Sequence, residues 1–168
     1  LQVGQEIRVP PQINSIEKVE KTLSDDDVKF IQSLVLYQDE HIIAINKPAG
    51  IATQGGSKVT QHIDGLLDGL KYNKEERPHI VHRLDKETSG VLLLARSRKA
   101  ATELGYMFKS RDIRKYYWAL TNRVPEPHQG VITTFIDQEE DGEGNDRMVN
   151  NKKEKGKKAV TYYQVMEQ

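Results

Sequence analysis

The run His79-Ile80-Val81-His82-Arg83-Leu84-Asp85-Lys86-Glu87-Thr88-Ser89-Gly90-Val91-Leu92-Leu93-Leu94-Ala95 sets a polar turn directly before the most apolar segment of the chain. Asp, Thr, Ser and Gly at 85–90 are turn formers, each with a side chain or backbone suited to a tight reversal. Val91–Ala95 is uninterrupted by polar residues and is expected to be a buried strand. At five residues it is also the longest apolar run, far below the ~20 needed to span a membrane as a helix, so no membrane partner is expected.

Outward from this run, the chain alternates between strand and helix signals. Leu34–Tyr37 and Ile42–Ile45 flank Gln38-Asp39-Glu40 and are expected to pair as a hairpin. Lys47-Pro48-Ala49-Gly50 breaks the second strand. Val59, Ile63, Leu66, Leu67 and Leu70 recur at helical spacing, so a helix is expected from about Thr60. Arg98–Phe108 also has a helical face, through Ala100, Ala101, Leu104 and Phe108. Ile113–Leu120, Val131–Ile136 and Ala159–Val165 are expected strands, with 137–158 a charged loop between the last two. Strands at hairpin spacing mixed with helices imply an α+β fold with a mixed, largely antiparallel sheet flanked by helices. Residues 1–11 suggest a short strand ended by Pro10-Pro11. Residues 12–32 are expected to be a linker, with a short helix beginning at the Asp25-Asp26-Asp27 run. Compact structure is expected from Leu34.

At 168 residues the chain is about one domain. It has no cysteine, which excludes disulfides, thiolate metal sites and a cysteine nucleophile. It shows no signal-peptide pattern and begins with Leu1, so it is expected to be processed or excised from a longer chain. The formal net charge is zero, yet the charge is unevenly placed. Residues 1–70 carry 6 basic and 10 acidic groups, 71–123 carry 13 and 6, and 124–168 carry 6 and 9. The middle block is thus +7, and local patches rather than totals attract polyanions. Solvated helix faces explain the same block without any partner.

Three features bear on chemistry. Asp85 lies in a polar turn between Arg83 and Lys86. An ionised carboxylate there can act as a nucleophile toward a sugar carbon, or simply cap turn amides. His79 and His82 form an H-x-x-H pair, but no third ligand lies nearby in sequence, so no metal is expected. Lys115-Tyr116-Tyr117-Trp118 sets aromatics beside a cation, a pattern that stacks on unpaired bases and equally suits a half-buried strand. Strict alternation would place Tyr117 opposite Tyr116 and Trp118. No G-x-S-x-G elbow and no phosphate-cradling glycine loop is present.

His82-Arg83-Leu84-Asp85, followed by Thr88-Ser89-Gly90 and the apolar strand, resembles the H-R-L-D-x-x-T-S-G signature of the RluA-type RNA pseudouridine synthases at every fixed position. Asn46-Lys47-Pro48-Ala49-Gly50 is similar to that family's N-K-P-x-G block. Lys115–Leu120 is similar to its K-x-Y-x-A strand, and Gly156–Val165 to the strand after its charged loop. The Gly55-Gly56-Ser57 context resembles the RluC-like branch, which acts on large-subunit ribosomal RNA. Gly4–Pro11 resembles the tail of an S4-type RNA-binding domain. The resemblance implies an S4-like tail plus linker over 1–32 and a synthase catalytic domain over 33–168, incomplete at its C-terminal end because the family's G-R-x-H-Q-I-R block is not in this sequence.

What the resemblance implies is isomerisation of uridine to pseudouridine in RNA, of the 23S ribosomal type, without a cofactor. Asp85 would act at C1′, and Tyr117, or Tyr116 in the other strand register, would stack on the uracil and serve catalysis by taking the C5 proton. Arg83 would fill the space left by the extruded base. His82, Leu84, Thr88, Ser89 and Gly90 would shape the substrate site. Lys47, Lys115 and the basic residues at 96–99 and 109–115 would meet phosphates. The implied partner is RNA, with a monomeric, cytoplasmic protein. A synthase for transfer RNA and a non-catalytic RNA-binding fragment are the alternatives.

Overall fold

A computed structural model describes residues 23–55, 61–140, 146–150 and 156–167. The chain divides after Lys115 into two compact units. The first opens with helix α1 (Asp25–Ser33), whose start is fixed by chemistry visible in the sequence. The Ser24 hydroxyl accepts from the Asp27 N–H at 3.1 Å, and three aspartates occupy the first turn, where the positive end of the helix dipole favours them. The short helix expected at the Asp run thus forms within the stretch expected to be a linker. Ile31 is fully buried in the core, and Gln32 Nε2 donates to the Gly69 carbonyl at 2.9 Å.

Strands β1 (Val35–Gln38) and β2 (Ile42–Lys47) form the expected antiparallel hairpin, with a register irregularity between Val35 and Tyr37. Its turn is held by the Asp39 carboxylate, which accepts from the His41 and Ile42 N–H groups at 2.7 Å each. These two amides hold the Asp39 carboxyl below its usual value. Strands β3 (His79–Ile80) and β4 (Gly90–Ala95) complete a four-stranded antiparallel sheet in the order β1-β2-β4-β3. The interior strand β4 buries Leu92 and Leu94 completely.

The helix expected from Thr60 is a 3-10 helix over Ile63–Leu70. Gly65 and Gly69 weaken α-helical propagation, while Ile63, Leu66, Leu67 and Leu70 still pack into the core. Helix α2 (Arg98–Ser110) starts at Ser97, whose hydroxyl accepts from the Ala100 N–H at 3.2 Å.

The second unit is a three-stranded antiparallel sheet, order β6-β5-β7, of β5 (Gln129–Glu140), β6 (Asp146–Asn150) and β7 (Lys157–Gln164). Two expectations fail here. The strand expected at 113–120 is absent, and no regular element lies between Ser110 and Gln129. Tyr116, Trp118 and Leu120 are strongly exposed, and among the described residues no strand pairs with this aromatic run. The charged loop expected at 137–158 instead contains the end of β5 and all of β6; backbone pairing does not require apolar side chains. The fold class is α+β and antiparallel, as expected.

Candidate active site

Antiparallel pairing places Lys47, the last residue of β2, opposite Gly90, the first of β4. The loop leaving β2 and the turn entering β4 thus lie side by side at one end of the sheet. The two are then joined by polar contacts. Gly50, at φ +88°, donates its N–H to the Lys86 carbonyl at 2.8 Å. That left-handed backbone suits glycine. Thr88 N–H donates to the Asp85 carbonyl at 3.1 Å, closing the turn.

Two side chains from the β2 loop grip the main chain of the Asp85 turn. The Thr53 hydroxyl donates to the Leu84 carbonyl at 2.6 Å and accepts from the Leu84 N–H at 3.1 Å. Thr53 is buried, and it saturates both main-chain groups of the residue before Asp85. The fully buried Lys47 ammonium donates to the carbonyls of Pro48 at 2.9 Å, Ile51 at 2.8 Å and Lys86 at 3.3 Å. Burial pushes this amine below the ordinary lysine value, opposed by the Glu87 and Asp85 carboxylates. The Lys47 cation, expected to meet phosphate, is enclosed here and directs its protons at three carbonyls.

Leu84 is buried in the core, whereas Arg83, Asp85, Lys86, Glu87 and Ser89 are exposed. The turn therefore carries a fixed main chain and presents a carboxylate and a guanidinium two residues apart. Thr88 is half-buried, and Gly90 adopts φ +125° as the chain enters β4.

The two histidines of the H-x-x-H pair have separate partners. His79 Nε2 lies 3.5 Å from a Glu76 carboxylate oxygen. The half-buried His82 ring accepts from the Leu93 N–H through Nε2 at 2.9 Å and stacks on Phe108, centroids 4.4 Å apart. Burial first, then Lys115, lowers the His82 pKa, which keeps the ring neutral and able to accept. The acceptor nitrogen of His82 is thus committed to β4. Among the described residues no group of three or more His, Cys, Asp or Glu could hold a metal ion.

Not all of the basic block faces solvent. Arg96 is buried, with its guanidinium on the Asp39 carbonyl and 3.4 Å from Asn73 Oδ1, so it braces the β1–β2 turn rather than meeting phosphate. Arg98 lies 3.3 Å from Glu76. Lys99, Lys109, Arg111, Arg114 and Lys115 are exposed. Tyr117 belongs to the second unit and is 60% exposed; Tyr116 and Trp118 beside it are also exposed, so strand alternation does not sort them. The sequence did not single out Thr53. Its signal is a lone hydroxyl between Ala52 and the Gln54-Gly55-Gly56 stretch.

A sequence profile described as RNA pseudouridylate synthase matches residues 41–168. The chain belongs to that family. Among its pseudouridylate synthase relatives, it is 39% identical over 141 residues to "Ribosomal large subunit pseudouridine synthase C" of Rickettsia typhi, covering 82% of this chain and 45% of that protein. It is 36% identical over 193 residues to "RNA pseudouridine synthase 4, mitochondrial" of Arabidopsis thaliana, covering 99% and 40%. The solved structure of "Human RNA Pseudouridylate Synthase Domain Containing 4" matches with a TM-score of 0.65 at 33% identity, over 82% of this chain and 55% of that one. The chain thus spans about half the length of the relatives it matches. Among the described residues no helix is long and apolar enough to cross a membrane.

Proposed function

We propose that this chain isomerises uridine to pseudouridine in large-subunit ribosomal RNA, with Asp85 as the carboxylate that acts at C1′. The N1–C1′ bond breaks, the uracil turns, C5 bonds to C1′, the C5 proton leaves and N1 takes up a proton. The reaction is redox-neutral. What carries the reading is the Asp85 turn. Thr53 holds Leu84, and Gly50 and Lys47 hold Lys86, so the intervening carboxylate stays exposed on a fixed main chain. Fixed geometry at the reacting atom is what such a step requires. The Rickettsia relatives, named for the large ribosomal subunit, support that substrate.

Extruding a uridine from its stack costs a few kcal/mol. Arg83, exposed and two residues from Asp85, offers a planar guanidinium to fill the gap. Tyr117 is the proposed stacking partner of the uracil. Thr88, Ser89 and Gly90 shape the turn, and Lys115 meets the phosphate backbone, which positions RNA rather than reading its sequence.

The test is tritium release from large-subunit ribosomal RNA transcribed with [5-³H]uridine, wild type against Asp85→Asn. Release by the wild type, reduced at least about 100-fold in Asp85→Asn with RNA affinity retained, is expected, the scale of loss for a group acting at the reacting atoms. Equal release by both proteins overturns the role of Asp85. RNA binding without release by either overturns catalysis by this chain and leaves an RNA-binding function.

A further inference from the structure

The polar contacts around the Asp85 turn have one member on the opposite side from Thr53 and Lys47. Strand β3 pairs with β4 through His79 opposite Ala95 and Ile80 opposite Leu94. Continued by one residue, the ladder would place Val81 opposite Leu93. The strand instead ends at Ile80 as the chain turns toward Asp85. An interior strand amide left without an acceptor would be costly. The Leu93 N–H finds its acceptor in the His82 ring, at 2.9 Å.

We propose that His82 is a positioning residue: its imidazole replaces the strand acceptor that β3 does not supply, and thereby fixes the distance between the Asp85 turn and β4. The ring is held from two sides. Nε2 is on β4, and one face lies on Phe108 of α2 at an interplanar angle of 28°. His82 is three residues before Asp85, and Thr53 secures the intervening Leu84. The ring and the hydroxyl thus fix the approach to the carboxylate from opposite sides. A reacting group held on such an approach depends on its supporting contacts to within about 0.5 Å. The inference rests on the catalytic role proposed for Asp85.

Only the neutral ring can accept from Leu93; a protonated ring sets a donor against a donor. The charges around the ring are few. β4 carries none, the charged residues of α2 are all exposed, and the Arg83 side chain points to solvent. Lys115 is the cation that acts on it, and burial and this cation both favour the neutral form.

The experiment compares wild type, His82→Gln and His82→Phe by single-turnover tritium release at saturating RNA, RNA affinity, and hydrogen exchange of the Leu93 amide, from about pH 5 to about pH 8, the range in which histidine titrates. Glutamine restores an acceptor at the same reach and does not titrate. Phenylalanine keeps the stack and lacks the acceptor. His82→Phe is expected to speed Leu93 exchange and slow release about tenfold, the scale of one lost hydrogen bond, with affinity unchanged. His82→Gln is expected to retain wild-type exchange and release at about pH 7.5 and to lose the acid-side decline of the wild type. Wild-type release by His82→Phe overturns the proposal. So does a His82→Gln protein that protects Leu93 normally and fails to release tritium, since the imidazole would then be needed for itself. If His82→Phe does not fold, the His82→Gln profile decides alone. Undiminished release by Asp85→Asn would instead overturn the catalytic reading, while Leu93 exchange still reports on the ring.

Discussion

At the scale of single residues, the site rests on side chains that face inward and bind main chain. Thr53 carries a direct prediction. Thr53→Val preserves shape and removes the hydroxyl, leaving the buried Leu84 N–H and carbonyl unpaired. Each unsatisfied group costs about 1–3 kcal/mol. The denaturation midpoint should fall accordingly, with Thr53→Ser close to wild type. His82 supplies a second prediction. Its folded-state pKa is lowered from the ordinary 6.5. The native state therefore binds fewer protons than the unfolded chain as pH falls through 6.5 toward the folded value. The stability associated with the neutral ring is complete above 6.5 and is lost on acidification through that window. Urea titrations at about pH 7.5 and about pH 5 should show a larger drop for wild type than for His82→Gln. The setting of Asp85 was legible, since a polar turn before an apolar strand is what the sequence shows and Asp85 lies exposed in that turn. Lys47, His82 and Thr53 were not, because the direction a side chain takes is decided by loops that meet only after folding. A lysine read from sequence alone suggests phosphate until three carbonyls are found around it.

At the scale of elements, legibility followed burial. The β1–β2 hairpin, β4 and α2 have periodic apolar faces or caps, and all form where the pattern places them. Helix α1 was half legible. Its capping serine and aspartates mark the start, but with only Ile31 fully buried the amphipathic signal was too thin to show that it joins the core. The run at 113–120 had strand composition and formed no strand, since β-propensity expresses a fit to neighbours rather than a preference of the backbone. The contact of α1 with the 3-10 helix yields a test. A Cβ at Gly69 would lie 2.8 Å from Ile31 Cγ2. Gly69→Ala should therefore force the two helices apart and destabilise by about 1–3 kcal/mol despite its better helix propensity. A thermal melt that rises instead would show that the helices separate at little cost.

At the scale of the whole molecule, the basic block overstates the surface available to a polyanion. Of its cations, Arg96 is internal, and Arg77 and Arg98 pair with Asp64 and Glu76. The exposed ones include Arg83 and Lys86 in the Asp85 turn, Lys99, Arg123, and a run at the end of α2 and just beyond, Lys109, Arg111, Arg114 and Lys115. If RNA lies there, Lys109→Glu with Arg111→Glu should lower affinity and flatten the log affinity against log salt slope by about 0.7 per lost single-strand phosphate contact. Arg96→Gln should lower stability and leave that slope unchanged. A slope insensitive to the paired reversal would move the RNA path elsewhere. Net charge alone concealed this arrangement, because acidic flanks cancel the block in the total.

The clamps on the Asp85 turn hold carbonyls and amides, and at Lys86 they leave the side chain untouched. Scaffold and recognition are thereby decoupled at that position. Changing the Lys86 side chain alters what an incoming strand would meet on the proposed function without disturbing what keeps the carboxylate in place. Such a turn is evolvable: a library randomised at Lys86 should be rich in folded proteins, and on the proposed function these should differ in which RNA they favour.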